Sequence, residues 1–267
     1  MKDFRRRIVG LTVLAAIAAC TSAVRPAQGQ SPPPTAAAVA PGTPSGPQGD
    51  TWASIAKLPD WQGIWELDWR GGGLAAARPA PPKLTPAAQA KLDTYRKNQE
   101  SGKDLQPDQA NCLPPGMPEM MTQPYPIEFL YSPGKVAIAV EAYMQLRHVF
   151  TDGRPMPKDP DALFNGYSIG HWEDDTLVVT STGFVPWSMI SPGIGHSDQM
   201  VIVERIHRSG PERIEIKQTI TDPKVLQEPW TVSHYYKLVK DDLREYECEQ
   251  NNHDSADPEG RPGLKVN

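Results

Sequence analysis

Two short clusters hold the side chains best equipped for chemistry, Gly195-His196-Ser197-Asp198 and Gly170-His171-Trp172. An imidazole titrates near neutrality, so His196 and His171 are candidate general bases, with Asp198 the acid beside the first. Serine, histidine and aspartate adjacent in sequence do not make a nucleophilic triad, because that relay needs the three side chains facing one another in space. The alternative for this cluster is a strand cap, with Ser197 and Asp198 bonding turn amides. For His171 it is packing against Trp172 and a bond to a backbone carbonyl. His196, Asp198 and His171 could offer zinc mixed nitrogen and oxygen ligands, but neither HExxH nor paired-cysteine spacing accompanies them, so no metal is expected.

A second set lies inside apolar strands: Glu128, Glu141, Arg147, Glu204 and Arg205. A buried carboxylate without a partner is costly, so each must pair with an arginine or face a wet cavity. If Glu128, Glu141 and Glu204 share a face with Arg147, the interior is polar and built for a ligand. If they alternate outward, they form an ordinary solvated face. Aromatic side chains suited to a ligand wall are ample, among them Trp172, Trp187 and Tyr246, with core packing as the other use. Trp187 precedes a Gly/Pro loop and is the candidate lid. Arg154 closes the turn Thr151-Asp152-Gly153-Arg154 and could clamp a carboxylate bidentately or cap its hairpin. The motifs GxGxxG, GxxxxGK[ST] and CxxCH are absent, so no nucleotide, flavin or haem cofactor is expected.

These residues sit in a chain written mainly as strands and turns. Gly166 to Ser181 reads as a hairpin about Glu173-Asp174-Asp175-Thr176, where aspartate tolerates the left-handed backbone of a tight turn. Ile127 to Tyr131, a long strand from Lys135 to Phe150, Met200 to Arg208, Arg213 to Thr221, Trp230 to Val239 and Leu243 to Gln250 supply the rest. In Arg213 to Thr221, Ile214, Ile216 and Ile220 alternate with Glu215, Lys217 and Thr219, one face in and one out. One helix begins at Thr85-Pro86 and runs to about Glu100. Asn111 to Pro126, with five prolines, reads as extended. The expectation is an antiparallel meander closing into a β-barrel, since closure removes exposed edges; a β-sandwich is the alternative.

The 267-residue chain has a formal net charge of −5 and offers no basic footprint for nucleic acid. Lys2, Arg5, Arg6 and Arg7 precede an apolar run from Ile8 to Ala19, the form of a secretory signal and too short to span a bilayer. Residues 1–29 are expected to be a signal peptide, or 1–19 with Cys20 lipidated and the membrane touched only through that anchor. Residues 30–51 read as a disordered Pro/Ala-rich linker, 52–252 as the barrel domain and 253–267 as a disordered tail. An exported chain with Cys112 and Cys248 left over points to a disulfide between them.

The blocks CLPPGMPEMM, PYPIEFLYSPGKV, GYSIGHWEDDTLVVTSTGF, GHSD, VIVERIHR, IEIKQTITDP, EPWTV and EYECEQNN, in this order, resemble those of a widespread exported bacterial family. The resemblance covers about Pro59 to Asn252 and transfers no established activity. The family's usual Glu-Gly-Asp turn is Glu173-Asp174-Asp175 here, and members often carry a histidine at the position of Met156. More narrowly, the Gly-x-Trp at Gly63-Ile64-Trp65 is similar to the opening signature of lipocalin-type barrels, in which the tryptophan closes one end. Together these features lead us to expect an exported barrel that binds a small hydrophobic or aromatic molecule. A cofactor-free lyase, isomerase or hydrolase, and a structural envelope protein, are the alternatives. Oligomeric state is not legible.

Overall fold

A computed structural model describes residues 42–68, 80–102 and 112–248, with the short strand pair Ser255–Ala256 and Pro262–Gly263. The expected signal peptide, Cys20, the first part of the linker and most of the tail lie outside the described residues. The end of the expected linker is not free of the barrel domain. Gln48 accepts from the Trp172 amide at 2.9 Å and donates to its carbonyl at 3.0 Å, and Thr51 caps the short helix α1 (Trp52–Ile55).

Strand β1 (Ile64–Leu67) is followed by helix α2 (Pro86–Glu100), capped by the Thr85 hydroxyl. Then come β2 (Ile127–Ser132), β3 (Lys135–Val140), β4 (Gln145–Phe150), β5 (Tyr167–Glu173) and β6 (Thr176–Thr182). A ribbon of β7 (Met189–Ser191) and β8 (Ile194–Gly195) precedes β9 (Val201–Gly210), β10 (Arg213–Thr221) and β11 (Trp230–Val239). Nine of these strands close into a barrel in the order β1, β11, β10, β9, β6, β5, β4, β3, β2. The wall is antiparallel except where β4 and β5 run parallel, Val149 opposite Ser168 and Phe150 opposite Ile169. The expected barrel with one substantial helix is therefore the architecture, with mixed rather than purely antiparallel pairing.

Three segments depart from the sequence reading. The long strand from Lys135 to Phe150 is broken by a 3-10 turn at Ala142–Met144, where Tyr143 and Met144 both take positive φ and reverse the chain into a β3–β4 hairpin. Residues 241–247 after β11 form no strand, so among the described residues the expected strand from Leu243 does not complete the sheet. The proline-rich stretch before β2 is not wholly extended: Glu119–Thr122 is a 3-10 turn with Met120 and Met121 buried.

Period-two alternation gives the barrel its interior. Ile202, Glu204 and Ile206 on β9, Ile214, Ile216, Gln218 and Ile220 on β10, and Val232, His234 and Tyr236 on β11 are all buried. Tryptophans fill one end. The Trp61 ring lies 5.0 Å from both Phe129 and Trp172, and Trp65 Nε1 donates to the Trp61 carbonyl at 2.9 Å. Arg208 lies over the Trp65 ring at 5.7 Å and donates to the Asp60 carbonyl at 2.7 Å. Gly63, at φ +110°, permits this approach, because a Cβ there would stand 2.6 Å from Leu238 Cδ1.

The opposite end receives residues 116–122 as a plug. Met117, Met120 and Met121 are buried in the core, and the Tyr236 hydroxyl donates to the Met121 carbonyl. Gly116, at φ +74°, starts the plug where a Cβ would meet Ser188 Cβ at 2.7 Å. Cys112, upstream of the plug, is disulfide-bonded to Cys248. Helix α2 lies against the β7–β8 ribbon, with Leu92 in the core.

Candidate functional site

Plug, ribbon and the β10–β11 wall leave a partly open cavity of about 200 Å³. Its apolar side is Ile190, Pro192, Ile220, Trp230 and Val232, and its polar side includes Glu119, Gln218 and His234. The barrel supplies the last two by alternation. Gln218 occupies the inward position between Ile216 and Ile220, and His234 the one between Val232 and Tyr236.

From His234 a line of polar side chains crosses the interior. His234 Nε2 lies 3.0 Å from Gln218 Oε1, and Gln218 Nε2 donates to Glu204 Oε1 at 3.0 Å. Glu204 forms a two-pronged ion pair with Arg147, whose Nη1 is 3.1 Å from Oε1 and whose Nη2 meets Oε2. Arg147 Nη2 also donates to Ser181 Oγ at 2.9 Å, and Ser181 and Ser168 hydroxyls share a 2.7 Å bond. Both members of the ion pair are essentially inaccessible to water. Low polarisability around them strengthens each bond and makes each lost partner expensive.

The chain of donors determines the histidine tautomer. A carboxylate only accepts, so Gln218 must present its NH2 to Glu204 and its oxygen to His234. His234 Nε2 therefore carries the proton. Nδ1 is left with a lone pair, buried and without a partner. Burial pushes the imidazole down to about 4, against a smaller opposing pull from the Glu204 charge, so the ring is neutral at ordinary pH. Glu119, at the cavity edge, has its carboxyl raised by burial alone. Tyr236 is raised strongly by burial and by the Glu204 charge.

The residues singled out from sequence fall in several places. Glu204 and Arg147 meet inside the barrel, where they spend their charge on each other. Glu128 sits between buried Ile127 and Phe129 on the other face of β2, and Glu141 accepts from the Arg244 amide at 2.7 Å outside the barrel. The Glu128, Glu141, Glu204 and Arg147 set therefore does not share one face. His171 Nε2 lies 3.1 Å from Glu173, whose carboxyl is held low first by its bond to Arg205 and also by His171. Trp172 is wholly buried in the tryptophan-filled end, away from the cavity.

His196 and Asp198 belong to the loops beyond the ribbon. His196 Nε2 lies 2.9 Å from both Ser188 Oγ and the Val185 carbonyl, and Nδ1 lies 2.8 Å from the Ser197 carbonyl. Its nitrogens are engaged in tying loop segments together. Asp198 is exposed and pairs with Lys224 at 2.6 Å, which lowers its carboxyl. Ser197 bonds Asp222 rather than any base, Oγ to Oδ1 at 2.7 Å. Among the described residues no three His, Cys, Asp or Glu side chains converge as a metal would require. Arg154 stays with Asp152 of its own turn and lies 3.9 Å over the Phe150 ring. Trp187 is partly exposed with its ring 5.9 Å from Phe164. Tyr246 packs edge-on to Tyr125 at 5.1 Å, and burial first, then Tyr143 and Tyr125, pushes its hydroxyl up to about 12.

Sequence reasoning passes over His234, Gln218 and Glu119. The signal for Gln218 is an amide at an inward position in a strand otherwise reading isoleucine, and for His234 an imidazole at an inward position of β11. Glu119 carries no such signal, because its setting depends on how the plug enters the barrel. Comparisons with protein-family models, curated proteins and solved structures each return no match.

Proposed function

We propose that this is an exported small-molecule-binding barrel whose ligand occupies the cavity between plug, ribbon and β10–β11 wall. The observation that carries the proposal is an apolar cavity of about 200 Å³ bordered by a buried histidine with one unsatisfied nitrogen. Ligand sites combine this kind of apolar lining with a few convergent polar groups. At this size, below the ~300–1,000 Å³ of pockets for drug-sized ligands, it suits a compact, single-ring molecule rather than a sterol. Export is supported by the basic and apolar opening of the chain and by the Cys112–Cys248 bridge, which an oxidising compartment preserves.

The test is native mass spectrometry and thermal shift on the mature protein with a panel of small aromatic and alicyclic metabolites. A retained mass, or a shift that Val232→Trp abolishes while the variant still melts cooperatively, is the expected result. A panel that leaves wild-type melting unmoved overturns the proposal. A second reading, a cofactor-free lyase, isomerase or hydrolase, is favoured by one observation: Gln218 orients the imidazole as a triad's third member orients its base. Under that reading His234→Gln loses turnover by orders of magnitude, whereas under the first it changes only affinity.

A further inference from the structure

We propose that the cavity selects an uncharged or cationic molecule that donates hydrogen bonds from an apolar body, the chemistry of an alcohol, phenol or amine, and rejects carboxylates. The inference rests on the binding reading above and follows from an inventory of which polar atoms around the cavity remain unengaged.

The acceptors are free. His234 Nδ1 is a lone pair with no partner, on a ring that lines the cavity and whose other nitrogen is committed to Gln218; the nitrogen itself is covered, so a ligand meets it as the ring edge shifts. The Glu119 carboxylate has no hydrogen bond or ion pair among the described residues, and nothing but burial perturbs it. Thr122 lines the cavity, and its hydroxyl donates to the Glu119 carbonyl at 2.8 Å, which leaves that oxygen only lone pairs to offer a ligand.

Most side-chain donors are engaged. Gln218 commits one N–H of its NH2 to Glu204, the Trp230 indole donates to the Ala80 carbonyl at 2.8 Å, and the Ser233 hydroxyl donates to Glu215 at 2.9 Å. The Ser191 hydroxyl alone can turn to either role. No lysine or arginine lines the cavity among the described residues. Arg147, the nearest cation along the polar line, is held by Glu204. An anionic ligand would meet unpaired acceptors and a carboxylate without any counter-charge, an arrangement that costs desolvation and gains nothing. A ligand bearing O–H or N–H relieves an orphaned nitrogen that the fold otherwise leaves buried at a cost.

The test compares probes of one shape: toluene, phenol, benzylamine and benzoate, titrated by calorimetry or by Trp230 fluorescence into wild-type protein, His234→Phe and Glu119→Gln. Phenol is expected to bind about tenfold tighter than toluene, the worth of one well-made hydrogen bond, and benzoate weakest of all. In His234→Phe the preference for phenol over toluene should vanish. Glu119→Gln, at the cavity edge and free of the buried network, keeps the test alive if that variant misfolds, and should lower the preference for benzylamine over toluene. If toluene and benzoate bind wild type as well as phenol, the selectivity inference is overturned and the cavity reading stands. If no probe binds, both are overturned.

Discussion

Gln218 stands between His234 and Glu204 with its amide polarised in one direction, its oxygen 3.0 Å from His234 Nε2 and its nitrogen 3.0 Å from Glu204 Oε1. That orientation joins a charged pair deep in the barrel to a neutral imidazole at the cavity. It makes the protonation of one depend on the charge of the other.

The ion pair anchoring this line should be intolerant of half-removal. Glu204→Gln or Arg147→Met each leaves a buried charge unpaired and is expected to cost about 3–5 kcal/mol in urea denaturation. The double variant Arg147→Met with Glu204→Leu should recover all but about 1–3 kcal/mol, the remainder reflecting Gln218 left without an acceptor. A double variant that costs the sum of the two single variants would mean the pair makes no coupled contribution.

His234 should make stability fall on acidification. Its folded value of about 4 lies below its ordinary 6.5, so between those limits the unfolded chain binds a proton that the folded chain refuses. The contribution is whole above pH 6.5, falls as pH drops through this window and levels off below about 4, a loss of about 3 kcal/mol in all. The difference between the pH–stability curves of wild type and His234→Gln isolates the effect from that of the carboxylates. Parallel curves would show that the imidazole charges freely in the folded state.

The Cys112–Cys248 bridge closes a loop of 136 residues, so its loss should be felt mainly as a larger unfolded-state entropy. The chain-entropy relation gives about 5 kcal/mol. A fall in melting temperature of about 10–20 °C on reduction, or in Cys112→Ala with Cys248→Ala, is the corresponding readout.

Gly116→Ala should loosen the plug. The residue is at φ +74° and an added Cβ would stand 2.7 Å from Ser188 Cβ and 3.0 Å from the Phe164 carbonyl. A loss of more than about 1 kcal/mol is expected. Accelerated amide exchange at Met117, whose N–H bonds the Phe164 carbonyl at 2.8 Å, should accompany it.

How much of this was legible in the sequence depended on whether the information was local. The β5–β6 hairpin about Glu173–Thr176 and the alternation of β10 are written in residue order, and so is the Thr85 cap of α2. The reversal at Tyr143 and Met144 was hidden, because left-handed backbone in a non-glycine pair is imposed by the hairpin's surroundings rather than by its residues. The parallel β4–β5 pairing was hidden because it joins strands across a long connection. For the site, Arg147 and Glu204 were visible as charges in apolar strands, yet which of them faced inward could be known only once register was set. His196 and His171 drew attention through glycine and serine neighbours, but their rings proved to be engaged by Val185, Ser188 and Ser197 in one case and by Glu173 in the other. His234 drew none, yet of these three histidines it is the one that borders the cavity.

Seven of the nine junctions around the barrel pair four or more residues, but β1 meets β2 at only Ile64–Glu128 and Trp65–Ile127, and β4 meets β5 at only Val149–Ser168 and Phe150–Ile169. The cylinder is thus a three-stranded leaf, β2 to β4, stitched at both margins to a six-stranded sheet. Leaf and sheet are natural cooperative units for partial opening. Arg147 belongs to the leaf and Glu204 to the sheet, so their pair is a rivet holding shut a wall whose stitches are too short to do so alone.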